Sequence, residues 1–303
     1  MPRAPRIEAG TRRGLARALL LLASVSGCGS TPSLDAGLDA PATADVPLDA
    51  PPPACEVEPV DVVRGRVIDA VGAPVERARP QLCARLVEGD RLVCLMPPFT
   101  EADGRFEIRV PADVRCMRSA AMRVLVTGGS YGTSYCPIAL APAEGVLELG
   151  EDLELFEVER ATLPPYGDPS ASREVPLGGS LVVELAPESI GDEADYARLG
   201  AVRVDPSRSC VPAARALEGL VVAMPEKRVD APFRILASDL PAGSAVELFV
   251  IGGLDTTLAD GTVVPEAELA RLGVGTVSED GTITPEPSVR LPQLGWLGWS
   301  LAP

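Results

Sequence analysis

From about residue 60 onward, short runs of alternating apolar and polar positions are separated by glycine, proline and aspartate. In "TEADGRFEIRVP" the residues Phe106, Ile108 and Val110 alternate with Glu107 and Arg109 between an Asp103-Gly104 turn and Pro111. That period of two predicts a half-buried strand. The stretch "GRVIDAVGAPVERA" reads as a strand, a turn and a second extended segment, and "VLELGEDLEL" closes the region with further strand signal. Beyond the proline- and glycine-rich stretch 162–179, strand-like runs cover 180–186, 200–204, 219–224, 233–237 and 245–251. In "PEAELARLG", residues 265–273, proline and acids come early, Arg271 late and glycine last, which predicts one short helix. The expected class is mainly β, with two β-sandwich-like domains at 55–161 and 175–303.

The pattern upstream differs. Arg3, Arg6, Arg12 and Arg13 precede, and Arg17 interrupts near its start, the apolar run from Leu15 to Ala23, and "SVSGCGS" follows it. Basic, apolar and small residues in that order make a secretory signal over residues 1–27. The apolar run is shorter than the ~20 residues a spanning helix needs. Val25-Ser26-Gly27-Cys28 resembles the lipobox of bacterial lipoproteins. That resemblance implies cleavage before Cys28 and acylation of its thiol and new amino terminus. Acyl chains contribute ~0.8 kcal/mol per buried CH₂, so several chains make a durable anchor in the lipid bilayer. Gly29 stands where an aspartate often retains lipoproteins at the inner membrane, so the family rule implies a cell-envelope protein of the outer membrane. Thr11-Arg12-Arg13-Gly14-Leu15-Ala16-Arg17 also has a twin-arginine look, which would mean export after folding. The further cysteines favour export unfolded.

Residues 28–54 contain Asp35, Asp39, Asp45 and Asp49, many prolines and alanines, no basic residue and no aromatic. Such a segment cannot build a core and is expected to be a disordered linker. Extended at ~3.1 Å per residue, it would hold a folded part roughly 80 Å from the bilayer.

Charge and composition narrow the chemistry. The chain has 43 acidic and 27 basic side chains, and without residues 1–27 the balance is 22 basic to 42 acidic, a formal charge of −20. Nucleic acid is excluded as a partner. There is no histidine, and Lys227, in the charged run "PEKRVD", is the only lysine. Triads, Cys-His dyads and histidine zinc sites are therefore unavailable. No metal site or cofactor is expected, and the Asp-Gly turns at 103, 260 and 280 lack the remaining ligands of a calcium loop. A carboxylate-pair glycosidase needs only two acids, but aromatics at 4% make a poor sugar cleft.

Six cysteines remain after Cys28: Cys55, Cys83, Cys94, Cys116, Cys136 and Cys210. An even number in an exported chain predicts three disulfides. In "CARLVEGDRLVC" a hairpin turning at Glu88-Gly89 sets Cys83 opposite Cys94, at a spacing a disulfide accepts. Cys116–Cys136 is the next expected pair, which leaves Cys55 for Cys210.

The motifs G-x-V-x-D-x-x-G-x-P, from Gly65 to Pro74, and T-x-x-D-G-x-F, from Thr100 to Phe106, resemble the carboxypeptidase regulatory-like domain, a transthyretin-like β-sandwich. The resemblance covers roughly residues 60–160 and implies an accessory fold for scaffolding or binding. The expected function is a non-enzymatic envelope lipoprotein that displays β-sandwich modules for adhesion, assembly or protein contact. The alternative is a glycan-binding lipoprotein. Its candidate ligand contacts are Trp296 and Trp299, or else the tyrosines Tyr131 and Tyr135, set against the simpler reading of both tryptophans as core plugs.

Overall fold

Two interlocked turns explain why the first folded region starts as it does. The Asp69 carboxylate accepts the backbone N–H groups of Val71 and Ala73, closing the turn after strand β1 (Val62–Asp69). Gly104, at φ 79°, lies against that strand: its carbonyl accepts the Val67 N–H at 2.9 Å, and a Cβ there would stand 2.3 Å from the Val67 carbonyl oxygen. Only glycine meets both demands. Buried Thr100 ties the two motifs further, because its hydroxyl accepts the Ala78 N–H at 2.8 Å and donates to the Val75 carbonyl at 2.6 Å. Thr100→Val keeps the shape and strands both backbone groups, so an expected loss of about 2 kcal/mol should appear in the urea midpoint, with Thr100→Ser recovering most of it.

The computed structural model describes residues 55, 58–89, 91–96, 98–128, 130–160, 162–236 and 238–303. The expected signal peptide, the Cys28 anchor and the linker lie outside the described residues. Within them no helix is long and apolar enough to cross a membrane.

The first module has two four-stranded sheets. In one, β1 pairs antiparallel with β4 (Arg105–Arg109) and parallel with β7 (Val146–Glu148) and β8 (Leu153–Leu155). The other has the order β3-β2-β5-β6, from β2 (Arg79–Leu86), β3 (Leu92–Cys94), β5 (Met117–Leu125) and β6 (Ser134–Ile138). Val63, Val67, Leu82, Phe106, Ile108, Met122 and Leu155 fill the space between them. The alternation from Phe106 to Val110 is thus a half-buried strand, as its pattern predicts.

The second module is one nine-stranded sheet. Its strands are β9 (Arg173–Gly178), β10 (Leu181–Leu185), β11 (Gly200–Val204), β12 (Gly219–Ala231), β13 (Phe233–Ile235), β14 (Ala245–Ile251), β15 (Leu269–Val277), β16 (Ile283–Pro285) and β17 (Leu291–Leu301). The order is β11-β12-β17-β14-β15-β16-β13-β10-β9. The module is sandwich-like, as the sequence pattern predicts, with both layers supplied by this one continuous sheet. The sheet rolls until its end strands lie side by side, with Gly178 and Gly179 against the backbone of Ala201 and Val202. One interior receives side chains from all nine strands, including Val175, Val183, Ala201, Val221, Ile235, Leu248, Val277, Ile283 and Trp299.

The helix expected at 265–273 is also absent. Pro265 to Glu268 form a turn in which Ala267 has φ 61°, and β15 then runs from Leu269, paired with Ile251 of β14. Sheet pairing overrides the local helix signals. Gly275 faces the Thr284 carbonyl oxygen, which a Cβ would approach to 2.9 Å, a demand of close strand packing.

All six described cysteines form disulfides. Cys83 stands opposite Cys94 in the β2–β3 register and is bonded to it, as the hairpin arithmetic requires. The other two expected pairs are wrong: Cys55 bonds Cys116, and Cys136 bonds Cys210. Cys136 lies opposite Met122, six residues along from Cys116, which is about 20 Å at ~3.3 Å per residue. Cys116 instead meets the incoming chain, where the Val60 N–H reaches the Arg115 carbonyl.

Candidate functional site

The run "GLVVAM" at the start of β12 is buried throughout, the mark of a strand covered on both faces. Val221 and Ala223 point into the rolled sheet, while Leu220, Val222 and Met224 point the other way, against the first module. There they meet Ala121 of β5, Tyr135 of β6 and the crossing residues Phe156 and Val158. The disulfide Cys136–Cys210 closes the same seam with its Cα atoms 5.2 Å apart.

Polar groups complete it. Arg123 of β5 donates to Glu226 Oε2 at 3.0 Å and to Gln81 Oε1 at 3.1 Å. The Tyr135 hydroxyl donates to Glu226 Oε1 and accepts the Leu254 N–H at 3.1 Å. Arg85 of β2 reaches Glu266 at 3.3 Å. On the far side Arg208 meets Glu154, and Arg215 meets Glu151 at 3.1 Å. Burial, reinforced by the charge of Glu226, pushes the Tyr135 hydroxyl well above the ordinary phenol range. For Arg123 burial acts downward, but Tyr135 and Glu226 outweigh it and the guanidinium is raised. At neutral pH the cluster is therefore a protonated tyrosine and a charged arginine clamped on one glutamate. Both carboxylate oxygens are engaged, so the arrangement fixes the modules and holds no free base.

Beside this clamp a cleft of about 480 Å³ opens to solvent, lined by Arg123, Glu226, Lys227, Arg228, Asp255 and Gln293 among others. A larger hollow of about 610 Å³ lies over β1 and β4, but its charges pair with one another, Arg64 with Glu107 and Glu148, and Arg66 with Asp152. Among the described residues no group of three or more cysteine or acidic side chains is placed to hold a metal ion.

The structure corrects the candidate ligand contacts. Trp299 is 1% exposed inside the rolled sheet, and Trp296 is 7% exposed in the seam. Trp296 packs edge-on to Phe156 at 5.7 Å and donates its indole N–H to the Thr133 carbonyl at 2.8 Å. Both are structural plugs. Tyr135 is buried in the clamp, and Tyr131 is half-buried and bridged to Glu157. Sequence reasoning singled out Lys227 but missed Arg123, Glu226, Asp255 and Gln293. The run "PEKRVD" straight after a fully apolar stretch was the one signal available.

No family model matches the chain, and no curated protein matches it. Among solved structures, a 3-chlorocatechol 1,2-dioxygenase from Rhodococcus opacus 1CP is 16% identical with a TM-score of 0.22, covering 43% of this chain and 73% of its own. The shaft pilin SpaA from Lactobacillus rhamnosus GG is 10% identical with a TM-score of 0.23, covering 75% of this chain and 88% of its own. At those scores neither likeness bears on fold or function.

Proposed function

We propose that this chain is an exported lipoprotein, anchored through Cys28 in the cell envelope, whose two β modules form a non-enzymatic contact body. The observation that carries the reading is the use of cysteine. Every described cysteine is in a disulfide, the state an oxidising compartment produces, and Cys28, directly after the apolar leader, is left as the one thiol for acylation. The welded seam supports the second half. Two modules joined by an apolar core, ion pairs and a disulfide present one fixed surface, which suits adhesion or assembly. The absence of histidine removes the usual general base from any reaction the surface could support.

Cells fed radiolabelled palmitate should label the wild-type protein and not Cys28→Ser, which should accumulate as an unprocessed or soluble precursor. Label retained by the variant would overturn the anchor. Turnover of peptidase, esterase or glycosidase substrates, lost on replacing a single acidic residue, would overturn the non-enzymatic reading.

A further inference from the structure

Successive side chains of a regular strand point to opposite faces, yet Glu226, Lys227 and Arg228 all line the cleft beside the clamp. On either side of the Lys227–Arg228 pair β12 slips its register against β17, between Val222 and Lys227 and again between Arg228 and Ala231. Asp230, inside the second slip, has φ 48°. Bulges of this kind re-aim side chains, and they gather beside functional sites. Lys227 and Arg228 are exposed, and among the described residues neither has a carboxylate partner, in a chain that carries 43 acidic side chains.

Gln293 supplies an independent observation. It stands opposite Arg228 in the β12–β17 register, lines the same cleft and is only 9% exposed. Its side-chain amide makes no hydrogen bond among the described residues. The amide is not among the polar groups sealed away without a partner, so it opens onto the cleft and is free to meet a ligand. Across the cleft Asp255 is held at φ 89° with its carboxylate unpaired. Gly253 lets the loop approach this closely, since a Cβ there would stand 2.5 Å from Glu226 Oε1 and 2.7 Å from Gln293 Nε2.

We infer that this cleft binds a carboxylate-bearing sugar of one or two rings, with Lys227 and Arg228 receiving the carboxylate and Gln293 and Asp255 the ring hydroxyls. The volume of about 480 Å³ suits a small ligand. Cations on one wall and an acceptor on the other match a molecule that carries an acid and hydroxyls together. Val263, 56% exposed, offers an apolar wall to the C–H face of a ring. An acidic peptide fits less well, because Asp255 repels a second acid. The inference stands whether or not Cys28 is acylated.

The test is calorimetric titration of the detergent-solubilised full chain with D-glucuronate, D-glucose, acetate and a pentaglutamate peptide. Saturable binding of glucuronate that weakens with added salt is expected, with glucose and acetate binding at least about tenfold more weakly. Lys227→Ala combined with Arg228→Ala should lower glucuronate affinity by about tenfold or more. Gln293→Leu should lower it too, while Arg91→Ala, an exposed arginine of the first module, leaves it unchanged. Unaltered near-ultraviolet circular dichroism shows that each variant keeps its fold. No glucuronate binding at millimolar concentration, acetate binding as tightly as glucuronate, tighter binding of the peptide, or full affinity in the double variant would each overturn the site.

Discussion

Trp299→Ala should lower the unfolding free energy by about 4 kcal/mol, the range for truncating a fully buried tryptophan. The indole is 1% exposed and sits in the interior shared by nine strands. It lies across Gly219, its register partner on β12, so closely that a Cβ on Gly219 would stand 2.0 Å from the ring, and Arg203 covers it at 5.5 Å. Little can relax into the vacated volume while the rolled sheet stays closed. Gly219→Ala should destabilise as well, by forcing the ring aside, and because the two positions share one space the double variant should cost less than the two single losses together. Urea midpoints of the four proteins decide this. A Trp299→Ala loss below about 1.5 kcal/mol would mean that the ring is not the plug the structure shows.

The second large effect lies at the seam. Glu226→Ala removes the partner of two groups, leaving Arg123 charged with only Gln81 to accept from it and the Tyr135 hydroxyl without an acceptor. Breaking one side of a buried ion pair costs about 3–5 kcal/mol. The side chains here are 21% and 13% exposed, which places the expected loss near the lower end of that range. Replacing both partners, Arg123→Met with Glu226→Leu, should recover most of it, since an apolar pair leaves no stranded charge. Equal losses in the single and double variants would show that the pair is not coupled. Thermal unfolding followed by near-ultraviolet circular dichroism reads the comparison.

What could be read in advance follows from the range of the interactions. Strands β11 and β14 were legible to the residue, because β-branched runs bounded by turn residues carry their own signal. The Asp-Gly turns were legible for the same reason: Asp103, Asp260 and Asp280 each accept the N–H two residues on, with the glycine at positive φ. Cys83–Cys94 could be paired because a short hairpin sets its own register. The remaining disulfides join segments 61 and 74 residues apart, and nothing local encodes such a meeting. Residues 265–273 carried helix start and stop signals, yet 265–268 form a turn and pairing with β14 draws the rest into β15, and the glycines at 273 and 275 were the overlooked strand signal. The cleft escaped notice because its chemistry depends on two register slips in β12, visible only once β17 is in place. For the tryptophans composition gives number and not depth, so ligand contact stayed open beside the core-plug reading, which their burial bears out.

The disulfides also decide how the molecule carries mechanical load. A pull applied at residue 55 crosses Cys55–Cys116 and enters at the head of β5, bypassing β1 to β4. It travels through β5 and β6 to Cys136 and crosses to Cys210, nine residues before the start of β12, on which Lys227 and Arg228 sit. The shortest covalent route from a tether at residue 55 to the cleft therefore omits most of the first module and the start of the second. Tension along it strains two sulfur bridges and the β5–β6 pair at one edge of its sheet, while the sheet built around β1 stays slack.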